Sequence, residues 1–216
     1  MEDGPSHRSL HNVLKEYLVY NREVGYTQGM NFIASIPLLY MDEEEAFWVM
    51  AGLLKGGDKK RIRAVYLEDL PLLRQYLFQF EMLLKEHLPK LATHFEEETI
   101  VPTLYASSWF ITAFAADLPL PLVVRIWDIF LYEGVKIIFR VGLALLTLFH
   151  DDLLELRFES ALEFLRHFPE ALEAIDGNTL ITIACSYKVK KRLRELELEY
   201  QAKNAKLGIK SKPRNK

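Results

Sequence analysis

The 216-residue chain is 50% hydrophobic and 26% charged, with 9 Pro and 10 Gly, the balance of a globular domain with a solvated surface. A chain of this length folds as one domain that buries roughly 70% of the surface its unfolded form exposes, so a core can form without disulfides or metal. A formal net charge of -3 argues against wholesale nucleic-acid binding, and the acidic start Met1-Glu2-Asp3-Gly4-Pro5 lacks the basic, then apolar, pattern of a secretory signal.

Helical periodicity dominates and no sustained apolar/polar alternation argues for strands, so the fold class is all-α. After a flexible segment 1–8, a first helix is expected from Ser9 to Arg22, with Leu10, Val13, Leu14, Tyr17 and Leu18 on one face. It stops near Gly25. The chain is then almost wholly apolar from Met30 to Met41, which predicts a buried second helix kinked at Pro37. Asp42 with Glu45 three residues on forms a capping-box start to a third helix ending near Gly56-Gly57.

Gly56 to Arg63 reads as an exposed basic loop. Pro71 to Leu88 reads as an amphipathic helix, with Leu73, Leu77, Phe80 and Leu84 facing in. The run Glu96-Glu97-Glu98 and Pro102 punctuate the chain before a helix containing Tyr105, Trp109, Phe110 and Phe114. Another follows from Leu122 to Tyr132, closed by Gly134 in the left-handed conformation favoured after a helix. Val135 to Phe149 has the all-round apolarity of a central helix. Lys136 and Arg140 interrupt it, and it falls short of the ~20 residues that a membrane span needs.

His150-Asp151-Asp152 is expected to terminate that helix. Two more follow, one around Phe158 to Phe168 and one starting near Asn178 and running to about Lys206. On the latter, Val189, Leu193, Leu196 and Tyr200 keep a four-three-four spacing that docks it on the domain. The only cysteine, Cys185, sits in an apolar stretch and is expected to be a buried thiol, consistent with a reducing, cytoplasmic environment. From Lys203 onward every charged side chain is basic, giving a tail over 207–216 with the charge for peripheral contact with an acidic membrane.

Self-contained chemistry is hard to find. Gly56-Gly57-Asp58-Lys59-Lys60 lacks the spacing of a phosphate-binding loop, and there is no nucleophile-elbow pattern. The one helical-spaced histidine pair, His7 and His11, lies in an expected fraying first turn and is not read as a metal site. What stands out is Gly25-Tyr26-Thr27-Gln28-Gly29, a glutamine held between glycines at a turn joining two packed helices.

Asn21 to Phe32 resembles the Tyr-x-Gln-Gly signature of the TBC domain of Rab GTPase-activating proteins. Glu44-Glu45-Ala46-Phe47-Trp48, Tyr105-Ala106-Ser107-Ser108-Trp109-Phe110, Arg125-Ile126-Trp127-Asp128 and Glu133-Gly134 follow in that family's order. The resemblance implies an irregular multi-helix domain over 9–206, N-terminally truncated, whose partner is a Rab-family GTPase in its GTP form. It implies no cofactor in this chain, GTP and Mg²⁺ belonging to the GTPase.

In that family an arginine and a glutamine enter the GTPase active site in trans. Gln28 matches the glutamine finger. Gly25 and Gly29 would let the turn approach the partner, Tyr26 would pack below to fix the loop, and Trp109 is the candidate for facing the GTPase. Trp48, Trp109 and Trp127 are all assigned mainly to the core, Trp109 being the exception that would line a groove facing the GTPase. Arg125 and Asp128, three apart on a helix, are expected to hold structure together. The family's Ile-x-x-Asp-x-x-Arg, which carries the arginine finger, has no match: Asp3 and Arg8 are wrongly spaced, and Arg22 belongs to another part of the pattern. The alternative reading is therefore a catalytically silent, GTPase-binding or scaffolding module.

Overall fold

The structure, a computed structural model, describes residues 5–22, 25–55, 62, 65–66, 70–166, 168, 172 and 175–206. The loop expected at Gly56 to Arg63 and the tail 207–216 lie outside these residues, apart from Ile62, which is buried. Every element among the described residues is helical.

Helix α1 (Pro5–Tyr20) begins earlier than expected, and α2 (Met30–Leu38) ends just after Pro37, which stands in its last turn. Helix α3 (Glu43–Lys55) starts as its sequence predicts: the Glu45 amide donates to Asp42 Oδ1 at 2.9 Å. Helices α1, α2 and α3 pack on one another, and Val13, Tyr17, Ile33, Ala46 and Met50 fill the space between them.

Prolines set several of the next starts, because the first helical position needs no amide donor and a fixed φ. Pro71 opens α4 (Pro71–His87), Pro89 opens α5 (Pro89–Glu97) and Pro102 opens the short α6 (Pro102–Tyr105). Helix α5 is absent from the sequence reading. Its Leu91, Ala92 and Phe95 stripe is buried, and the acidic run read as punctuation is its last turn.

The aromatic helix expected around Trp109 is broken in two, α6 and α7 (Ser107–Thr112), and stops where Ala113 and Phe114 both take positive φ, 49° and 64°. Such backbone is costly for side-chain-bearing residues. Here it is held by the Trp127 indole, which donates to the Ala113 carbonyl at 3.1 Å.

Helix α8 (Leu120–Glu133) ends at Gly134, whose φ of 78° is positive as expected, though its ψ of -159° is not the left-handed helical value. Helix α9 (Lys136–Leu148) runs through the middle, with Ile137 to Phe139 and Val141 to Leu146 buried. Gly142 is required there: a Cβ would lie 2.8 Å from the Phe80 ring and 3.2 Å from Trp109.

Helix α9 ends at Leu148, just before His150-Asp151-Asp152 as expected, and those residues open the short α10 (His150–Glu155), followed by α11 (Phe158–Arg166). The expected last helix is two. Helix α12 (Gly177–Ser186) packs along α9 and begins after Asp176 rather than at an Asn178 cap. Helix α13 (Lys190–Lys206) docks on α4 through buried Leu193 and Leu196, a Gln79 to Leu193 carbonyl bond of 2.7 Å, and the Phe78–Tyr200 ring pair. Cys185 is exposed, contrary to expectation, because Leu180 and Ala184 form the inward stripe of α12 and Cys185 falls on the other side. No helix among the described residues is long and apolar enough to cross a membrane.

Candidate functional site

The glutamine loop joins α1 to α2. Gly25 takes φ 64° and Gly29 φ 100°, both in the region that favours glycine. Their surroundings differ. A Cβ at Gly25 would meet nothing within 4 Å, whereas one at Gly29 would sit 2.4 Å from Cγ2 of Ile111. Gly29 therefore allows close approach to its own α7.

Two further bonds clamp the loop. Thr27 Oγ1 donates to the Tyr66 carbonyl at 3.2 Å, and the buried Tyr66 hydroxyl donates to the Ile111 carbonyl. Burial raises the Tyr66 pKa well above the ordinary tyrosine value, so the hydroxyl stays a donor. The Met30 amide, donating to the Thr27 carbonyl at 3.2 Å, closes the turn into α2. Gln28 is left exposed at the apex.

The electrostatic setting follows from the helix that the loop opens. Helix α2 has no side-chain cap and no acidic residue in its first turn, so the positive end of its dipole faces Gln28 uncompensated. An anion brought to this loop is favoured.

Several expectations need correction. Trp109 does not face solvent: it is 1% exposed and packed among Phe80, Tyr105, Phe114 and Phe168. The residue of that segment that reaches the loop is Ile111, two positions on. Tyr26 is 56% exposed and so does not pack below the loop. Trp48 is also 56% exposed and lies against the edges of Tyr20 and Phe47, while Trp127 is buried as assigned. Arg125 and Asp128 are both exposed on α8 and form no ion pair among the described residues. Sequence reasoning missed Thr27, Tyr66 and Ile111 as supports, since only the fold brings these segments together.

Behind Ile111 the end of α7 is tied down by Asp117, whose Oδ2 accepts from Ser108 Oγ at 2.9 Å and Thr112 Oγ1 at 3.2 Å. Burial pushes its carboxyl above the usual value, outweighing the two hydroxyl donors. The folded state thus holds this proton more tightly than the unfolded chain. Its contribution to stability is full below the ordinary pKa of 3.8 and is lost as pH rises through the raised folded value. Asp117→Asn keeps an acceptor for both hydroxyls and removes the titration. Melting temperature against pH is expected to fall less steeply above about pH 4 in this variant; an unchanged slope would show that Asp117 does not contribute.

Comparison with known proteins adds to this geometry. The Rab-GTPase-TBC domain family matches residues 1–154. The chain is 40% identical over 203 residues to the human Ecotropic viral integration site 5 protein homolog, covering 92% of this chain and 24% of that protein. It is 37% identical over 207 residues to the Rab GTPase-activating protein eat-17 of Caenorhabditis elegans, covering 95% and 23%. The chain thus spans about a quarter of the length of these curated relatives. Among solved structures, the Chlamydomonas flagellar RabGAP TBC domain superposes with a TM-score of 0.69 at 29% identity, covering 85% of this chain and 60% of that one.

Proposed function

Because the chain belongs to the Rab-GTPase-TBC domain family, we propose that it acts on a Rab-family GTPase in its GTP form, with Gln28 supplied in trans to the nucleotide site. The observation that carries this reading is the exposed Gln28 on a loop anchored by Gly29 on Ile111 and by Thr27 on Tyr66. A finger must be both accessible and fixed, since a loosely held side chain loses the benefit of positioning.

Glutamine suits the task. Its carbonyl accepts a hydrogen bond from the attacking water while its amide donates toward the phosphate or the GTPase backbone. The uncapped start of α2 adds a favourable field for the charge on the phosphates. Exposed Tyr26 flanks the loop as contact surface. On this reading the protein works in vesicle traffic, in the cytoplasm and at endomembranes where its GTPase resides.

Stimulation by this chain alone is weak, because no residue matches the arginine finger. That same observation favours the second reading, a GTPase-binding module without turnover. Single-turnover GTP hydrolysis across a Rab panel, paired with binding to the GTP-loaded forms, separates the two. We expect a small acceleration that Gln28→Ala removes while binding persists. Binding without acceleration supports the second reading, and no binding to any Rab rejects both.

A further inference from the structure

We propose that the concave basic surface at the start of α13 is a binding site for a phosphate-bearing membrane-lipid headgroup. The concavity, of about 480 Å³, lies between α9 and α13 and is lined by Arg140, Lys188, Lys190, Lys191 and Arg194. In a chain of net charge -3 such a concentration of cations is local and one-sided.

Arg140 is paired with Glu133 at 2.9 Å, so the open charge of the lining rests on the lysines and Arg194. Glu195 is the single acidic residue of the lining, and its carboxylate is shared between Arg192 at 3.4 Å and Lys191 at 3.8 Å. Glu86 and Glu199 are engaged by Arg192, at 2.7 Å each. Lys188, Lys190 and Arg194 are exposed and form no ion pair among the described residues.

The helix start sharpens the case. Helix α13 opens with Lys190, Lys191 and Arg192 and has no acidic residue in its first turn, placing like charge on the positive end of a dipole. The arrangement is unfavourable until an anion held by the Lys190 and Lys191 side chains offsets it.

The segment that presents these cations is rigid. Tyr187 is held at three points: its carbonyl accepts from Arg140 Nε at 3.0 Å, its hydroxyl bonds Thr147 Oγ1 at 2.6 Å, and its ring meets the His87 ring at 5.1 Å. Val189 is fully buried. Lys188 and Lys190 are thus fixed on either side of an anchor, which lowers the ordering cost of binding. Leu198, 66% exposed beside the cations, supplies the apolar contact that a headgroup and its bilayer offer together.

The test uses the full chain and vesicles of phosphatidylcholine alone, with phosphatidylserine, or with phosphatidylinositol bisphosphate at matched total charge. We expect co-sedimentation to favour the phosphomonoester lipid, and Lys190→Glu with Lys191→Glu and Arg194→Glu to weaken it more than about tenfold. Acidic side chains at 190 and 191 suit the dipole of α13, while the lost Lys191–Glu195 pair and the new like-charge neighbours oppose it by similar small amounts, so this variant should melt close to the parent, separating lost binding from lost folding. Changing Lys210, Lys212, Arg214 and Lys216 to Gln should leave the preference intact. Equal binding to the charge-matched phosphatidylserine vesicles would overturn the site, as would a preference that only the tail variant abolishes. Binding of soluble inositol phosphate without any vesicle binding would replace the lipid by a free phosphate.

Discussion

Joining the family's Ile-x-x-Asp-x-x-Arg segment, taken from a relative, to the N-terminus of this chain should raise its single-turnover stimulation of GTP hydrolysis by about 10³ to 10⁵. The expectation follows from what the chain holds and lacks. On the proposed reading Gln28 orients water but brings no charge, while the transferring phosphoryl group spreads negative charge over its oxygens. A guanidinium is always protonated and offers a planar fork of donors matched to phosphate geometry. The gain is equivalent to about 4 to 7 kcal/mol of barrier. Replacing the added arginine by alanine should return the rate to that of the parent chain. If the added segment changes nothing, either a resident cation such as Arg22 already serves, or the domain does not stabilise the transition state.

Gly29→Ala should cost about 2 to 6 kcal/mol of stability, a large share of the 5 to 15 kcal/mol that holds a domain folded. Two terms add. A side-chain-bearing residue at φ 100° is strained by about 1 to 3 kcal/mol, and a Cβ 2.4 Å from Ile111 Cγ2 forces overpacking of a further 1 to 3 kcal/mol or so. Gly25→Ala isolates the first term, since nothing lies near its Cβ, and should cost about 1 to 2 kcal/mol at φ 64°. Adding Ile111→Ala to Gly29→Ala relieves the contact and leaves the backbone strain, apart from the cost of the truncation itself. Urea denaturation of the two single variants reads the contrast. Equal losses at Gly25 and Gly29 would show that the contact with α7 does not fix the loop.

The regular helices were legible because their burial is periodic. Leu73, Leu77, Phe80 and Leu84 of α4, the Asp42 cap of α3 and the apolar run of α9 each carry a local signal that the fold obeys. Helix α5 carried one too, Pro89 followed by Leu91, Ala92 and Phe95, but its acidic end masked it. The breaks were not legible. Ala113 and Phe114 take positive φ without a glycine to announce it, and Tyr187 ends α12 where Arg140, Thr147 and His87 capture it. Those causes are tertiary.

The same holds for the site. Gln28 could be picked out only through the ordered motifs, since a glutamine between glycines is otherwise an ordinary turn. Trp48 and Trp109 belong to the same residue type, yet one lies on the surface of α3 and the other is enclosed by aromatic rings around α9. Nothing local separates them. The role of Gly29 depends on Ile111, which lies far along the chain, so the sequence could show that glycine was present without showing what it approaches.

The claim that Gln28 supplies the water-positioning amide in trans is tested most directly on a Rab whose own catalytic glutamine is replaced by leucine. On the Rab that this chain stimulates best, acceleration should survive that replacement and be lost when Gln28→Ala is introduced here. Acceleration that disappears with the GTPase's own glutamine, and persists in the Gln28→Ala chain, would contradict the account.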